Sequence, residues 1–147
     1  MAVNNQKHDN LLNPKKMITE INLDCGNFKI YKDYMIGTMN EGVAFDEVCK
    51  NEIWKICQTH FKDKPFGYIS NRVNSYSVDP TIYLDTSGKF AKMKAMAVVT
   101  QRKMQRLNVQ LERQFFKAEL EVFESIEEGK AWIEKVLNYT KSNSLST

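Results

Sequence analysis

The side chains with the greatest capacity for chemistry lie in two short tracts. The first runs from Ser70 to Val78, where Asn71, Arg72, Asn74, Ser75, Tyr76 and Ser77 supply amide, guanidinium and hydroxyl groups without an intervening glycine. The second is Thr100-Gln101-Arg102-Lys103. Groups of this kind hydrogen-bond anions, peptide backbone or the polar surface of a partner, and none of them is a nucleophile with an adjacent base. A surface loop pinned by its own Asn and Ser turns would use the same residue types, so the first tract supports either a turn or a binding loop. Arg102 and Lys103 fall in the expected first turn of a helix, where the positive end of the dipole disfavours a cation by about 0.3–1 kcal/mol. A bound anion would offset that cost, and so would extension of both side chains into water.

Other chemistries lack their residue patterns. There is no glycine-rich phosphate loop, no G-x-S-x-G elbow and no Cys-His pair, and neither His8 nor His60 has a second ligand at metal spacing. Carboxylates such as Asp79 and Asp85 would have to be brought together by the fold to form an acid-base pair. The expectation is a protein without catalytic residues, cofactor or metal. Cys49 and Cys57 stand eight residues apart on one predicted helix, about 12 Å along its axis, and cannot bridge each other. Both are expected as buried free thiols, and Cys25, beside Gly26, has no assigned partner.

The bulk properties set the frame. The 147 residues fit one domain with a single core, and 42% hydrophobic with 27% charged residues is ordinary for a globular protein. A net charge of +3 and a pI of about 8.7, with basic and acidic residues interleaved, argue against nucleic acid as a partner. No segment approaches the roughly 18 apolar residues of a membrane span, and Met1 to Lys16 lacks the apolar core of a signal peptide. A cytoplasmic location is expected, with residues 1–16 as a polar arm and 139–147 as a polar tail.

The elements that must position the two tracts follow from periodicity. From Ile18 to Met39 apolar residues alternate: Ile21, Leu23 and Cys25, a turn at Gly26-Asn27, then Phe28 and Ile30, a turn at Lys32-Asp33, then Tyr34 and Ile36. This predicts a three-stranded antiparallel meander. Phe45, Val48, Cys49, Ile53, Ile56, Cys57 and Phe61 recur at three and four and predict a helix of about four turns that stops before Pro65. Phe66 to Ser70 reads as an inner strand. Asp79-Pro80 starts a short helix that carries Ile82, Tyr83 and Leu84 and ends at Ser87-Gly88. Ala95 to Val99 is apolar without alternation, as expected of a strand covered on both faces, whereas Glu119 to Val122 alternates as an edge strand would. Between them, residues 101–115 place Met104, Leu107, Leu111 and Phe115 on one helical face, expected to be the core face. A final helix opens on the capping box Ser125-Ile126-Glu127-Glu128 and buries Ile126, Ile133, Val136 and Leu137. Trp54 and Trp132 are placed at the margins of helix faces, in core packing. Strands in a meander followed by strands alternating with helices predict one α/β domain with a mixed sheet.

The tracts K-A-M-A-V-V-T (94–100), Phe115-Phe116, E-L-E-V-F (119–123) and S-I-E-E-G-K-A-W-I (125–133) resemble those of small bacterial SpoIIAA-like proteins. These are related to STAS domains and, distantly, to lipid-carrying CRAL-TRIO proteins. The order of the preceding elements extends the resemblance from Ile18 to Leu137. It implies a SpoIIAA-like α/β domain at 17–138 that acts by binding a protein partner through the Asn71–Val78 loop and the helix after it. The alternative it implies is a carrier or sensor of a small apolar or anionic ligand held between sheet and helix. Candidate binding residues are Asn71, Arg72, Asn74, Ser75, Tyr76, Ser77, Arg102 and Lys103, and a homodimer is left open. The Asp-Ser-Ser-Gly run of STAS phosphoswitches is absent, so that switch is not carried over to Ser75 or Ser77.

Overall fold

The computed structural model describes residues 16–84 and 88–145. Residues 1–15 of the expected 1–16 arm, with His8, and Asp85 and the Ser87 end of the short helix lie outside those residues.

Strands β1 (Thr19–Leu23), β2 (Gly26–Ile30) and β3 (Tyr34–Met39) form the antiparallel meander. The first turn is Asp24-Cys25, because Leu23 pairs with Gly26, which already belongs to β2. After the two-residue strand β4 (Ala44–Phe45), helix α1 spans Glu47–His60. Asp46 caps α1 by accepting from the Cys49 amide at 3.0 Å. Strand β5 (Phe66–Asn71) is followed by β6 (Ser77–Val78), which pairs in parallel with β4, and by a 3-10 turn at Pro80–Tyr83. The short helix expected after Asp79 is therefore a single tight turn. Its cap is Asp79, whose carboxylate accepts from both the amide and the hydroxyl of Thr81 and is held below the usual carboxylate range by those bonds.

Strand β7 (Met93–Val99), helix α2 (Lys103–Arg113), strand β8 (Glu119–Phe123) and helix α3 (Ile126–Leu145) complete the chain. Backbone of α3 continues through the expected polar tail as far as Leu145. Its first turn is held by Ser125, whose hydroxyl accepts from the Glu128 amide and donates to the Glu128 carboxylate.

The six-stranded sheet runs β1-β2-β3-β5-β7-β8, antiparallel through β3 and parallel from β3 to β8. The protein is thus an α/β domain with a mixed sheet, and each face has its own core. On one face α1 and α2 cover Phe28, Ile30, Met35, Tyr68, Met96, Val98 and Leu120 through Cys49, Ile53, Ile56, Cys57 and Val109. On the other, α3 sets Ile133 and Leu137 against Tyr34, Ile36, Ile69, Ala95, Ala97 and Val99. Small residues let α3 approach closely: a Cβ on Gly67 would overlap Ile133, and one on Gly129 would stand 3.2 Å from the Ala97 methyl. This explains why 95–99 reads as continuous apolar sequence, since its side chains alternate between two buried faces.

Two further expectations are corrected. The face of α2 formed by Met104, Leu107 and Leu111 points to solvent, and the buried residues of the helix are Val109 and Glu112. The reason is electrostatic: Glu112 has a buried cation to meet, and that contact fixes the rotation of the helix. Second, Cys25 and Cys49 form a disulfide, leaving Cys57 buried and free among the described cysteines. Helical spacing excluded only the Cys49–Cys57 pair. The β1–β2 turn brings Cys25 to the start of α1, with the two Cα atoms 6.3 Å apart, within bridging range.

Among the described residues no helix is long and apolar enough to cross a membrane.

Candidate functional site

The centre of the candidate site is a buried polar cluster at the carboxyl end of β5. Arg72, the first residue beyond that strand, donates from Nη1 and Nη2 to the Glu112 carboxylate at 2.7 and 2.8 Å, and from Nε to Ser70 Oγ at 3.0 Å. Tyr83 donates its hydroxyl to Glu112 Oε1 at 2.7 Å, and the Tyr76 hydroxyl lies 3.4 Å from Ser70 Oγ. The Arg72 guanidinium also sits 5.8 Å from the centroid of the Tyr76 ring. Burial disfavours the charged guanidinium, but the carboxylate bonds outweigh it and hold the Arg72 pKa above its ordinary value. Burial likewise raises the Tyr83 phenol, more than the nearby Arg72 lowers it. The cluster is fully bonded within the protein, which is the condition under which a buried ion pair is tolerated.

An apolar cavity of about 70 Å³ lies beneath this cluster, between the sheet and α1. Its floor is Met39, Tyr68, Met93 and Met96 from the strands, Ile53 and Lys50 come from α1, and Ile82, Tyr83, Phe90 and Phe116 close it. Three polar side chains on its wall are engaged with protein atoms: Lys50 Nζ donates to the Ile82 carbonyl at 2.6 Å, Ser70 Oγ accepts from Arg72, and Tyr83 donates to Glu112. What faces the void is therefore mostly carbon and methionine sulfur, which adapts its shape easily. Tyr83, Phe90, Met93 and Phe116 also line a groove of about 600 Å³ on the adjoining surface, bordered among the described residues by Gly88, Lys94, Ala118 and Tyr139. The Tyr83 and Phe116 rings meet edge to face at 5.9 Å and form part of the wall between the two spaces.

On its other side the cluster floors a second groove of about 280 Å³, between Tyr76–Pro80 and the Gln105, Asn108 and Leu111 side chains of α2.

The structure brings the two sequence tracts together. Arg102 reaches back with Nη1 to Ser75 Oγ at 2.6 Å and with Nη2 to the Val73 carbonyl at 3.2 Å. Asn71 donates to Thr38 Oγ1, Asn74 donates to the Met39 carbonyl, and the Ser75 amide donates to Glu41. The Ser77 amide donates to the Val43 carbonyl within the β4–β6 ladder. Lys103 is exposed at the start of α2. The loop is thus pinned by its polar residues, and Arg72 is turned inward with 4% of its surface exposed. Sequence reading missed Glu112, Tyr83 and Lys50. The available signal for Glu112 was its place three residues after Val109, on the side of the helix away from the apolar stripe.

Compared with protein-family models, with curated proteins and with solved structures, the chain finds no match.

Proposed function

We propose that this protein is a non-enzymatic binding domain that holds the apolar end of a small amphiphilic molecule in the cavity between the sheet and α1. This reading accords with the resemblance to SpoIIAA-like proteins and their lipid-carrying relatives. The observation that carries it is the lining: a cavity walled by Met39, Met93, Met96, Phe90 and Phe116 that shares Tyr83, Phe90, Met93 and Phe116 with a larger groove on the adjoining surface. Well-packed cores leave few voids larger than a water molecule, so an apolar space at the sheet–helix interface supports the reading of an apolar ligand site. At about 70 Å³ it is smaller than the roughly 150 Å³ that accepts benzene, so it suits a short alkyl segment, with the rest of the molecule in the outer groove beside Lys94.

The test is thermal unfolding of the full chain with a series of straight-chain carboxylates and their alcohols. Binding of the native state raises the melting temperature in proportion to RT ln(1 + [L]/Kd). The expected result is a chain-length optimum that disappears in Ile82→Trp, whose indole would occupy the cavity from its half-buried rim. A flat response across the series, with no small molecule retained in native mass spectrometry, would sink the proposal.

Docking of a protein partner by the Asn71–Val78 loop is the second reading, favoured by the exposure of Val73, Ser75 and Ser77. Arg72 cannot serve it directly, being committed to Glu112. If that loop docks a partner, Val73→Asp together with Ser77→Arg abolishes the complex and leaves ligand-induced stabilisation intact.

A further inference from the structure

We propose that the outer face of α2 is a docking surface for an amphipathic helix of a partner protein, one that carries carboxylates at the end meeting Lys103. Met104, Leu107 and Leu111, spaced by three and four residues, form a single stripe with 70%, 67% and 51% of their surfaces exposed. Solvent-facing Leu and Met at single sites are ordinary, but a whole helical stripe of them is not. Nor can the helix rotate to bury it. The bidentate Arg72–Glu112 pair and the Tyr83 bond hold the opposite face inward, so the stripe is a built feature of the native state.

Shape and charge identify the occupant. The groove between α2 and Tyr76–Pro80 runs beside the stripe and shares Leu111 with it, which suits a side chain projecting from a partner helix. The start of α2 is electropositive: its first turn has no acidic residue, Arg102 gives it no side-chain cap, and Lys103 is exposed there. Glu112 is the helix's sole acid, and it is buried and neutralised by Arg72. An anionic membrane fits less well, because Glu121 and Glu124 stand exposed beside the helix, paired to Arg113 and Arg106. A second copy packed antiparallel would set Lys103 against the Arg113 end of its twin, cation to cation.

The experiment uses the full chain and three synthetic helical peptides: one with a leucine stripe flanked by Glu, the same stripe flanked by Lys, and a scrambled form of the first. Fluorescence anisotropy should show the Glu peptide binding roughly tenfold or more tightly than either control. Leu107→Glu and Met104→Glu should each abolish that preference while circular dichroism stays unchanged, since both sites are exposed. Lys103→Glu should weaken the Glu peptide and strengthen the Lys peptide. The proposal is overturned by equal binding of the Glu and Lys peptides, by no binding of the Glu peptide, or by binding that Leu107→Glu leaves intact. It is also overturned by sedimentation showing a dimer that Leu107→Glu dissociates, or by Leu107-dependent flotation with vesicles rich in phosphatidylserine.

Discussion

Arg72 and Glu112, forty residues apart in the chain, form a bidentate ion pair at 2.7 and 2.8 Å with both side chains almost wholly buried. The pair joins the end of β5 to α2 and fixes which face of that helix meets the sheet. Removing one partner strands a buried charge, so Arg72→Met and Glu112→Leu should each cost about 3–5 kcal/mol in denaturant unfolding. The double variant should recover much of that loss, because two apolar side chains leave no charge behind. A loss in the double variant equal to the sum of the two single losses would mean that the two side chains are not coupled and the pair contributes nothing by itself.

Tyr83 donates to the same carboxylate, and Tyr83→Phe removes that single bond while keeping the ring against Phe45 and Phe116. Hydrogen bonds to charged groups contribute about 1.5–3 kcal/mol, and unfolding of this variant should show a loss in that range.

Gly67 lies under α3, where an added Cβ would overlap Ile133. Gly67→Ala should destabilise by about 1–3 kcal/mol through overpacking, and Gly67→Ala with Ile133→Ala, which removes the overlapping atoms, should be less destabilised than the sum of the two.

Cys57 lies in the core and its Sγ donates to Met35 Sδ at 3.7 Å; burial pushes its thiol up to about 12 from an ordinary 9.0. The thiol is neutral when folded and ionises more readily when unfolded. Its contribution is complete below about pH 9 and is lost as pH rises toward 12, at about 1.4 kcal/mol per pH unit. Wild type should therefore lose stability more steeply than Cys57→Ala across that window. A thiol reagent should label Cys57 only on unfolding, and identical alkaline slopes for the two proteins would refute the shift.

The Cys25–Cys49 bridge closes a loop with a sequence separation of 24, which corresponds to about 3 kcal/mol of restricted unfolded-chain entropy. Reduction, or Cys25→Ser with Cys49→Ser, should lower the melting temperature by several degrees without altering the sheet. Unchanged melting would show that the two sulfurs stand as thiols.

The strands were legible because period-two and continuous apolar patterns report directly on burial: Ile21 to Ile36 and Ala95 to Val99 mark the strands that the sheet contains. The helices were legible as elements, but not always in orientation. In α1 the apolar face is the buried face. In α2 hydrophobicity pointed the wrong way, because one buried guanidinium outweighs three exposed aliphatic side chains, and that guanidinium comes from a distant loop. The candidate site is a similar case. The polar tract at 71–78 stands out in the sequence, but that Arg72 turns inward while Arg102 ties down Ser75 depends on contacts between elements far apart in the chain. The disulfide is of the same kind: spacing can exclude a pair within one helix, and only the fold can bring a turn to a helix start.

The order of the strands also has a kinetic side. The meander pairs β1, β2 and β3 through tight turns, so its contacts are local and form early. β5, the centre of the sheet, can pair with β3 only after α1 has been spanned, and with β7 only after the chain has passed through β6 and the 3-10 turn. The parallel half therefore depends on non-local pairing. Arg72, at the end of β5, meets Glu112 only when α2 has docked, so the charged centre of the molecule rests on a contact between residues 40 apart in the chain, whose loop-closure entropy must be met before the ion pair can form.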